Sequence, residues 1–452
     1  MLFNTLTYLI FLPLVFLFYW TARGAKAKNV IIILASFVFY GWWDVRFLGL
    51  MIATCVVNYF SVNAIVRSED LTLRKRWLTL TLLVNFLVLG VFKYFNFFSQ
   101  SLAALLGALG LHADVPTLNV LLPVGISFYT FQLSGFAIDH YRRSQQLGKV
   151  DFVRFMAFIT FFPQLVAGPI ERWSNMKEQF TADRRFDYTM AREGMRLLLW
   201  GLVKKVLIAD NCAGVANYIF EHHATLSLPD LWIGALVFTF QIYGDFSGYS
   251  DMAIGSARLF GIRLSPNFST PYFASSMKDF WRRWHMTLMS WFKDYVYIPL
   301  GGNRRGRFRQ QVNTFAVFLL SGLWHGSNWT FVAWGLYHAL WRFVPLRYIT
   351  FPVVMLGWVI FRSDSLSAAA LYLSHMFTPS LWGATTCSRM PLLLIAALLL
   401  TEWLMKGREH PFAFPDRGVL RYQSVRMAVY LLVLAAVYLC GGEKAQFIYF
   451  QF

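Results

Sequence analysis

The sequence predicts an all-α, polytopic integral membrane bundle of about eleven transmembrane helices with re-entrant segments, forming one domain over residues 1–452. Three observations predict it. Hydrophobic residues make up 57% of the chain and charged residues 14%, against about 25% charged in soluble domains. Apolar stretches recur from residue 2 onward and leave no polar block long enough to fold as a soluble domain. The basic residues fall in the short segments between those stretches, as the positive-inside rule requires.

Taken in order, the first element is Leu2–Trp20, a charge-free run that is too long for a signal-peptide core and has no basic stretch before it. Residues 29–43, 47–66, 77–92, 115–138 and 155–170 are likewise free of Asp, Glu, Lys and Arg. A crossing takes about 20 apolar residues, so the shorter runs borrow flanking residues or enter the bilayer partway. Basic segments at Arg23–Lys28, Arg67–Arg76 and Arg142–Arg154 alternate with segments near 44–46 and 99–114 that hold a single Arg, which puts the N-terminus outside. The run 155–170 is flanked by basic segments on both sides and contains Pro163, Gly168 and Pro169. A re-entrant loop fits it, and such backbone is tolerated only against protein or a wet cavity. Further stretches follow at 197–220, interrupted by Lys204 and Lys205, then at 231–254, 310–341, 348–361, 365–388, 390–405 and 427–442. Residues 221–230 lack Lys and Arg, as expected outside, and 258–309 are strongly basic, as expected inside.

The net charge of +18 thus reports topology and partnership with membrane lipid, not nucleic-acid binding, for there is no basic tail or compact basic domain. Cys55, Cys212, Cys387 and Cys440 stand singly, without the spacing of a metal or redox site. No bound cofactor and no metal are expected.

The chemistry concentrates between 245 and 341. Asp245 and Asp251 follow an apolar run directly, and either cap helices at the interface or line a polar cavity. Ser276–Ile298 reads as one helix, with Phe280, Trp284, Leu288, Trp291 and Tyr295 on an apolar face and His285 beside it. The loop Pro299–Arg309 combines glycines with Asn303, Arg304 and three more arginines. It either anchors topology or receives a phosphate, such as the diphosphate end of a coenzyme A donor. Residues 310–341 form a 32-residue charge-free run with His325 at its midpoint. As one helix it would span about 48 Å, too long for an untilted crossing. Broken at Ser321-Gly322 and Gly326-Ser327-Asn328 it could instead form two shorter pieces, and either way His325 lies deep and is suited to proton transfer. His338 is assigned to packing. Trp284 and Trp324, each next to a histidine, either wall a passage or simply pack.

Ile126–Tyr141 (ISFYTFQLSGFAIDHY), Phe162–Arg172 (FPQLVAGPIER), Tyr243–Gly255 (YGDFSGYSDMAIG), Phe280–Asn303 (FWRRWHMTLMSWFKDYVYIPLGGN), Ser321–Gly326 (SGLWHG) and the aromatic tail Phe447–Phe452 resemble the membrane-bound O-acyltransferase family, and within it the bacterial polysaccharide branch. The resemblance implies a bundle pierced by a central tunnel, with His285 and His325 matching the two family histidines. It implies transfer of an acyl group from a cytoplasmic thioester, acetyl-CoA above all, to a hydroxyl reached from the other side of the bacterial inner membrane. It further implies a periplasmic acetyltransferase partner and a polysaccharide synthesis and export complex. The expected activity is O-acetylation of an alginate- or cellulose-like exopolysaccharide, with His325 as general base and His285 orienting the donor or stabilising the oxyanion. The alternatives are D-alanyl transfer to teichoic acid and a polytopic transporter whose ion path would use Asp245, Asp251, Lys204 and Lys205.

Overall fold

The computed structural model describes every residue except 112–114, 119–120, 346–347, 386, 406, 415–417 and 451–452, and of residues 143–146 the backbone alone. The last two residues of the aromatic tail therefore lie outside the described part. The described residues are helical, without strands, and divide into two compact units: residues 1–186 with 260–262, and 187–259 with 263–452.

The first unit holds α1 (Leu6–Thr21), α2 (Ala25–Gly41), α3 (Val45–Arg67), α4 (Leu71–Leu89), α5 (Phe95–Ala108), α6 (Ile126–Leu147), α7 (Phe152–Ile159), α8 (Phe162–Leu165) and α9 (Trp173–Thr181). A π-helical turn, Gly90–Tyr94, joins α4 to α5. Helices α3, α4 and α6 are joined at a buried polar point, where Asn58 Nδ2 donates to Asn85 Oδ1 at 2.6 Å and Asn85 Nδ2 donates to Ser134 Oγ at 3.3 Å. Inside an apolar bundle such side-chain bonds between helices fix which faces meet. The run 155–170 is not one crossing: α7 stops at Ile159, α8 is a single turn, and the backbone beyond it is wholly buried. Ser36 Oγ accepts the Phe162 amide at 3.0 Å, satisfying a group that the break frees.

The second unit holds α10 (Tyr188–Val203), α11 (Asp210–Glu221), α12 (Leu228–Leu259), α13 (Met277–Arg283), α14 (Met286–Phe292), α15 (Gly306–His325), α16 (Trp329–Trp341), α17 (Thr350–Arg362), α18 (Leu366–His375), α19 (Met390–Met405) and α20 (Gln423–Leu439). A second π-helical turn, Lys204–Ala209, links α10 to α11. Helices α10 and α12 meet along a glycine seam. A Cβ at Gly201 would stand 2.5 Å from the Gly248 carbonyl oxygen, and one at Gly194 would stand 2.7 Å from that of Gly255. Only glycine permits this approach, and it brings the lysines of the π turn onto the carboxylates of α12.

Two sequence expectations change here. Ser276–Ile298 is not a single helix, because α13 ends at Arg283 and α14 restarts at Met286. The expected break in 310–341 occurs only at Gly326–Asn328, since α15 runs without interruption through Ser321-Gly322 to His325.

Among the described residues two helices are long and apolar enough to cross a membrane, Val45–Arg67 and the merged Leu71–Ala108. Shorter apolar helices are Leu6–Thr21, Thr350–Arg362, Met390–Met405 and Gln423–Leu439. Leu9 and Leu17 on α1, Leu393 and Leu404 on α19, and Leu431 and Leu432 on α20 are exposed. Contiguous apolar faces of this kind suit hydrocarbon better than water.

Candidate functional site

The site is built around the break between α13 and α14. Ser276 caps α13, its Oγ accepting the Asp279 amide at 3.2 Å, and Asp279 pairs with Arg282 and Arg283 at 2.9 and 3.1 Å. Burial works to raise the Asp279 carboxyl, but hydrogen bonds from Arg283 and Arg282 outweigh it and hold the group below the usual carboxylate range. At His285 the backbone turns left-handed, with φ 45° and ψ 52°. A histidine held there costs about 1–3 kcal/mol, and such strain persists where the surroundings over-determine it, often at functional sites.

Asn267, from the loop after α12, supplies that determination. Its backbone carbonyl accepts the Met286 amide at 2.9 Å, and its Oδ1 meets His285 Nδ1 at 3.1 Å, Thr287 Oγ1 at 2.9 Å and the Thr287 amide at 3.3 Å. Its Nδ2 donates to Ser250 Oγ on α12 at 3.2 Å. Because Oδ1 faces donors on Thr287, the imidazole contributes its Nδ1–H, and in the neutral ring Nε2 carries the lone pair.

His325 closes α15 and is buried. The motif ends in glycine for a steric reason: a Cβ at Gly326 would lie 2.0 Å from the Phe331 ring. Both imidazoles lie against one indole, Trp324, with ring centroids 5.8 Å away for His285 and 5.0 Å for His325. Tyr449 closes the group from the C-terminal tail. Its hydroxyl is 3.4 Å from His325 Nδ1, and the Phe246 ring touches both others, with centroids 4.4 Å from that of Tyr449 and 4.7 Å from that of His285. A hydroxyl presented to an imidazole nitrogen is the arrangement that lets a ring be oriented or accept a proton.

Other residues expected in the site fall elsewhere. Trp284 is buried in an aromatic core with Phe268 at 5.1 Å, Phe280 at 5.6 Å and Trp358 at 5.0 Å. Asp245 and Asp251 do not cap a helix end. They lie within α12 and are ion-paired, Asp245 to Lys205 at 2.9 Å and Asp251 to Lys204 at 2.6 Å. Asn303 and Arg304 are exposed just before α15, roughly 30 Å along that helix from His325. His338 sits in packed aromatics, with Trp334 at 4.9 Å and Trp281 at 5.0 Å. Asn267, which helps complete the site, carries no periodic or motif signal of its own, and Tyr449 lies in the aromatic tail Phe447–Phe452 without being singled out within it.

A cavity of about 250 Å³ lies beside the His325 turn, lined by Ser327, Asn328, Thr330, Phe331, Phe361, Arg362, Ser363 and Asp364. Phe361 is shared between the two places, its ring 5.5 Å from that of His325. The walls are hydroxyl, amide and charged groups over an aromatic floor, a surface that suits a hydroxyl-bearing molecule.

Comparison with known proteins gives the chain its family. The chain is 38% identical to the probable alginate O-acetylase AlgI of Azotobacter vinelandii, over 98% of each chain. It is 36% identical to the peptidoglycan O-acetyltransferase of Helicobacter pylori, over 86% of this chain and 81% of that one. With the teichoic acid D-alanyltransferase of Streptococcus thermophilus it shares 29% identity over 50% of this chain and 58% of the other. The profile of MBOAT, the membrane-bound O-acyltransferase family, matches residues 37–352, a span that includes Asn267, both imidazoles and Trp324. The chain belongs to the membrane-bound O-acyltransferase family and is an O-acyltransferase.

Proposed function

We propose that the protein is a multi-pass enzyme of the bacterial inner membrane that moves an acetyl group from a cytoplasmic thioester, acetyl-CoA, outward for O-acetylation of an exopolysaccharide. The single observation carrying this reading is the seating of two imidazoles against the Trp324 indole, one of them in contact with a phenol. The family match spans residues of both units, which supports treating 1–452 as one transmembrane domain of about eleven crossings.

In the reaction, His325 takes the proton of an acceptor hydroxyl as its oxygen attacks the acyl carbon. The C–O bond forms, the C–S bond breaks, and the thiolate leaves to recover a proton. His285 orients the donor. Its Nδ1–H is given to Asn267, so the neutral ring offers Nε2 as an acceptor, and stabilising an oxyanion would require the imidazolium. The cavity beside His325 supports entry of the acceptor from the extracytoplasmic side. Its Arg362 bonds Asn217 at 3.1 Å, near the segment 221–230 that loop charge puts outside. The acceptor is an alginate- or cellulose-like polymer or the hydroxyl of a periplasmic acetyltransferase that completes delivery within a synthesis and export complex. The similarity to the Helicobacter pylori enzyme favours a second acceptor class, cell-wall glycan.

Replacing His325 by Ala is expected to abolish acetylation of the isolated polymer while the amount of protein in the membrane stays normal. Retained acetylation rejects the base assignment. Labelled acetyl-CoA against a carrier-protein thioester separates acetyl from D-alanyl transfer, and a transporter would leave polymer acetyl content untouched.

A further inference from the structure

The charged groups of the π turn have no part in the transfer step, yet they hold the chain segment that reaches it. After α20 the tail passes along the turn and is bonded at successive points. Asn211 Nδ2 donates to the Cys440 carbonyl at 2.9 Å, the Gly442 amide donates to the Val206 carbonyl at 3.3 Å, and Lys205 Nζ donates to the Ala445 carbonyl at 3.2 Å. The Ile448 amide donates to Asp245 Oδ2 at 2.7 Å, and the next residue is Tyr449. The Val206 carbonyl, which also accepts from Asn211 Nδ2 at 3.4 Å, is thus shared between the π turn and the tail. Gly441-Gly442 permits the approach, since a Cβ at Gly442 would stand 2.5 Å from the Asn211 amide nitrogen.

The charge count explains why the tail belongs there. One ammonium, Lys205, faces two buried carboxylates, Asp210 at 2.8 Å and Asp245 at 2.9 Å. Such a cluster is costly unless further donors serve the carboxylates, and the tail amide of Ile448 does so for Asp245.

We propose that the Lys205–Asp210–Asp245 cluster is the anchor of the C-terminal tail, and that Asp245 and Lys205 are positioning residues that act through it to seat Tyr449 on His325. The proposal rests on the reading of His325 as the base.

The test uses the full-length protein in membranes, with the four native cysteines replaced by serine and Ile448→Cys as a reporter, because Ile448 is fully buried. Asp245→Asn and, separately, Gly442→Ala, which leaves the ion cluster intact, are each expected to raise maleimide labelling of the reporter at least tenfold. In the native background each is expected to lower turnover at least tenfold with KM for acetyl-CoA unchanged. Combining either with Tyr449→Phe is expected to give no further loss. Unchanged labelling, or losses that multiply with that of Tyr449→Phe, overturns the proposal. If Asp245→Asn fails to accumulate, Gly442→Ala decides. Labelling reads the anchor without any acyl transfer, so a wrong assignment of His325 shows separately as acetylation retained in His325→Ala.

Discussion

Asn267 gathers its hydrogen bonds on His285 and Thr287 at the helix break and on Ser250 of α12, residues 17 to 20 positions away from it on either side. It holds the imidazole in a backbone conformation that histidine does not choose. Asn267→Ala removes several bonds around one buried ring, each worth about 0.5–1.5 kcal/mol. Turnover is expected to fall at least about tenfold, the equivalent of 1.4 kcal/mol in the barrier, with protein level maintained, as measured by initial rates on membranes normalised to immunoblots. At this scale the sequence was informative where a titratable group interrupts an apolar run, as at His285 and His325. It was silent on Asn267 and marked Tyr449 only as part of an aromatic tail, because a loop asparagine and a tail tyrosine become site residues only through tertiary contacts. Asp245 and Asp251 were visible as costly groups, but their lysine partners depend on how α10 and α12 meet.

That meeting is decided by elements. The α10–α12 seam works because Gly194 and Gly201 face Gly255 and Gly248. Gly201→Leu forces the helices apart, an overpacking cost of about 1–3 kcal/mol, and is expected to lower the amount of folded protein recovered in mild detergent. Lys204→Met leaves Asp251 without its ammonium at 2.6 Å. Removing one partner of a buried pair costs about 3–5 kcal/mol, so this variant is expected to lose more thermal stability in detergent than the double variant Lys204→Met, Asp251→Leu. Equal melting temperatures of the two variants would show that the unpaired Asp251 carboxylate carries no penalty. Apolar periodicity made the helices themselves legible, including the broken stretch at 155–170 with its prolines. The interruption at Trp284-His285 was not legible, since the apolar face of residues 280–295 continues across it and nothing local marks a left-handed histidine. In 310–341 excess length announced a break, and the side-chain cap of Asn328 on the Thr330 amide at 3.1 Å fixed where the next helix starts.

For the whole molecule, low charge and basic loops sufficed to identify a membrane protein, and ordered motifs sufficed for the family. The cavity at the His325 turn was beyond sequence reasoning because its wall combines the α15–α16 break with the end of α17. Ser327 is exposed at its rim, so Ser327→Trp is expected to obstruct the acceptor without a folding cost: polymer acetylation falls several-fold while slow hydrolysis of the donor thioester persists. Loss of both activities together would assign the cavity to the donor instead. On the proposed mechanism both imidazoles serve one transfer, fed from the cytoplasmic face. Inside-out membrane vesicles given labelled acetyl-CoA in the outer medium test it most directly, with label in the enclosed polysaccharide as the readout. Incorporation is expected with the wild type and less than about one per cent of it with His285→Ala or His325→Ala, a loss of some 3 kcal/mol of transition-state stabilisation. Undiminished incorporation by either variant, or incorporation only when the donor is sealed inside, would contradict it.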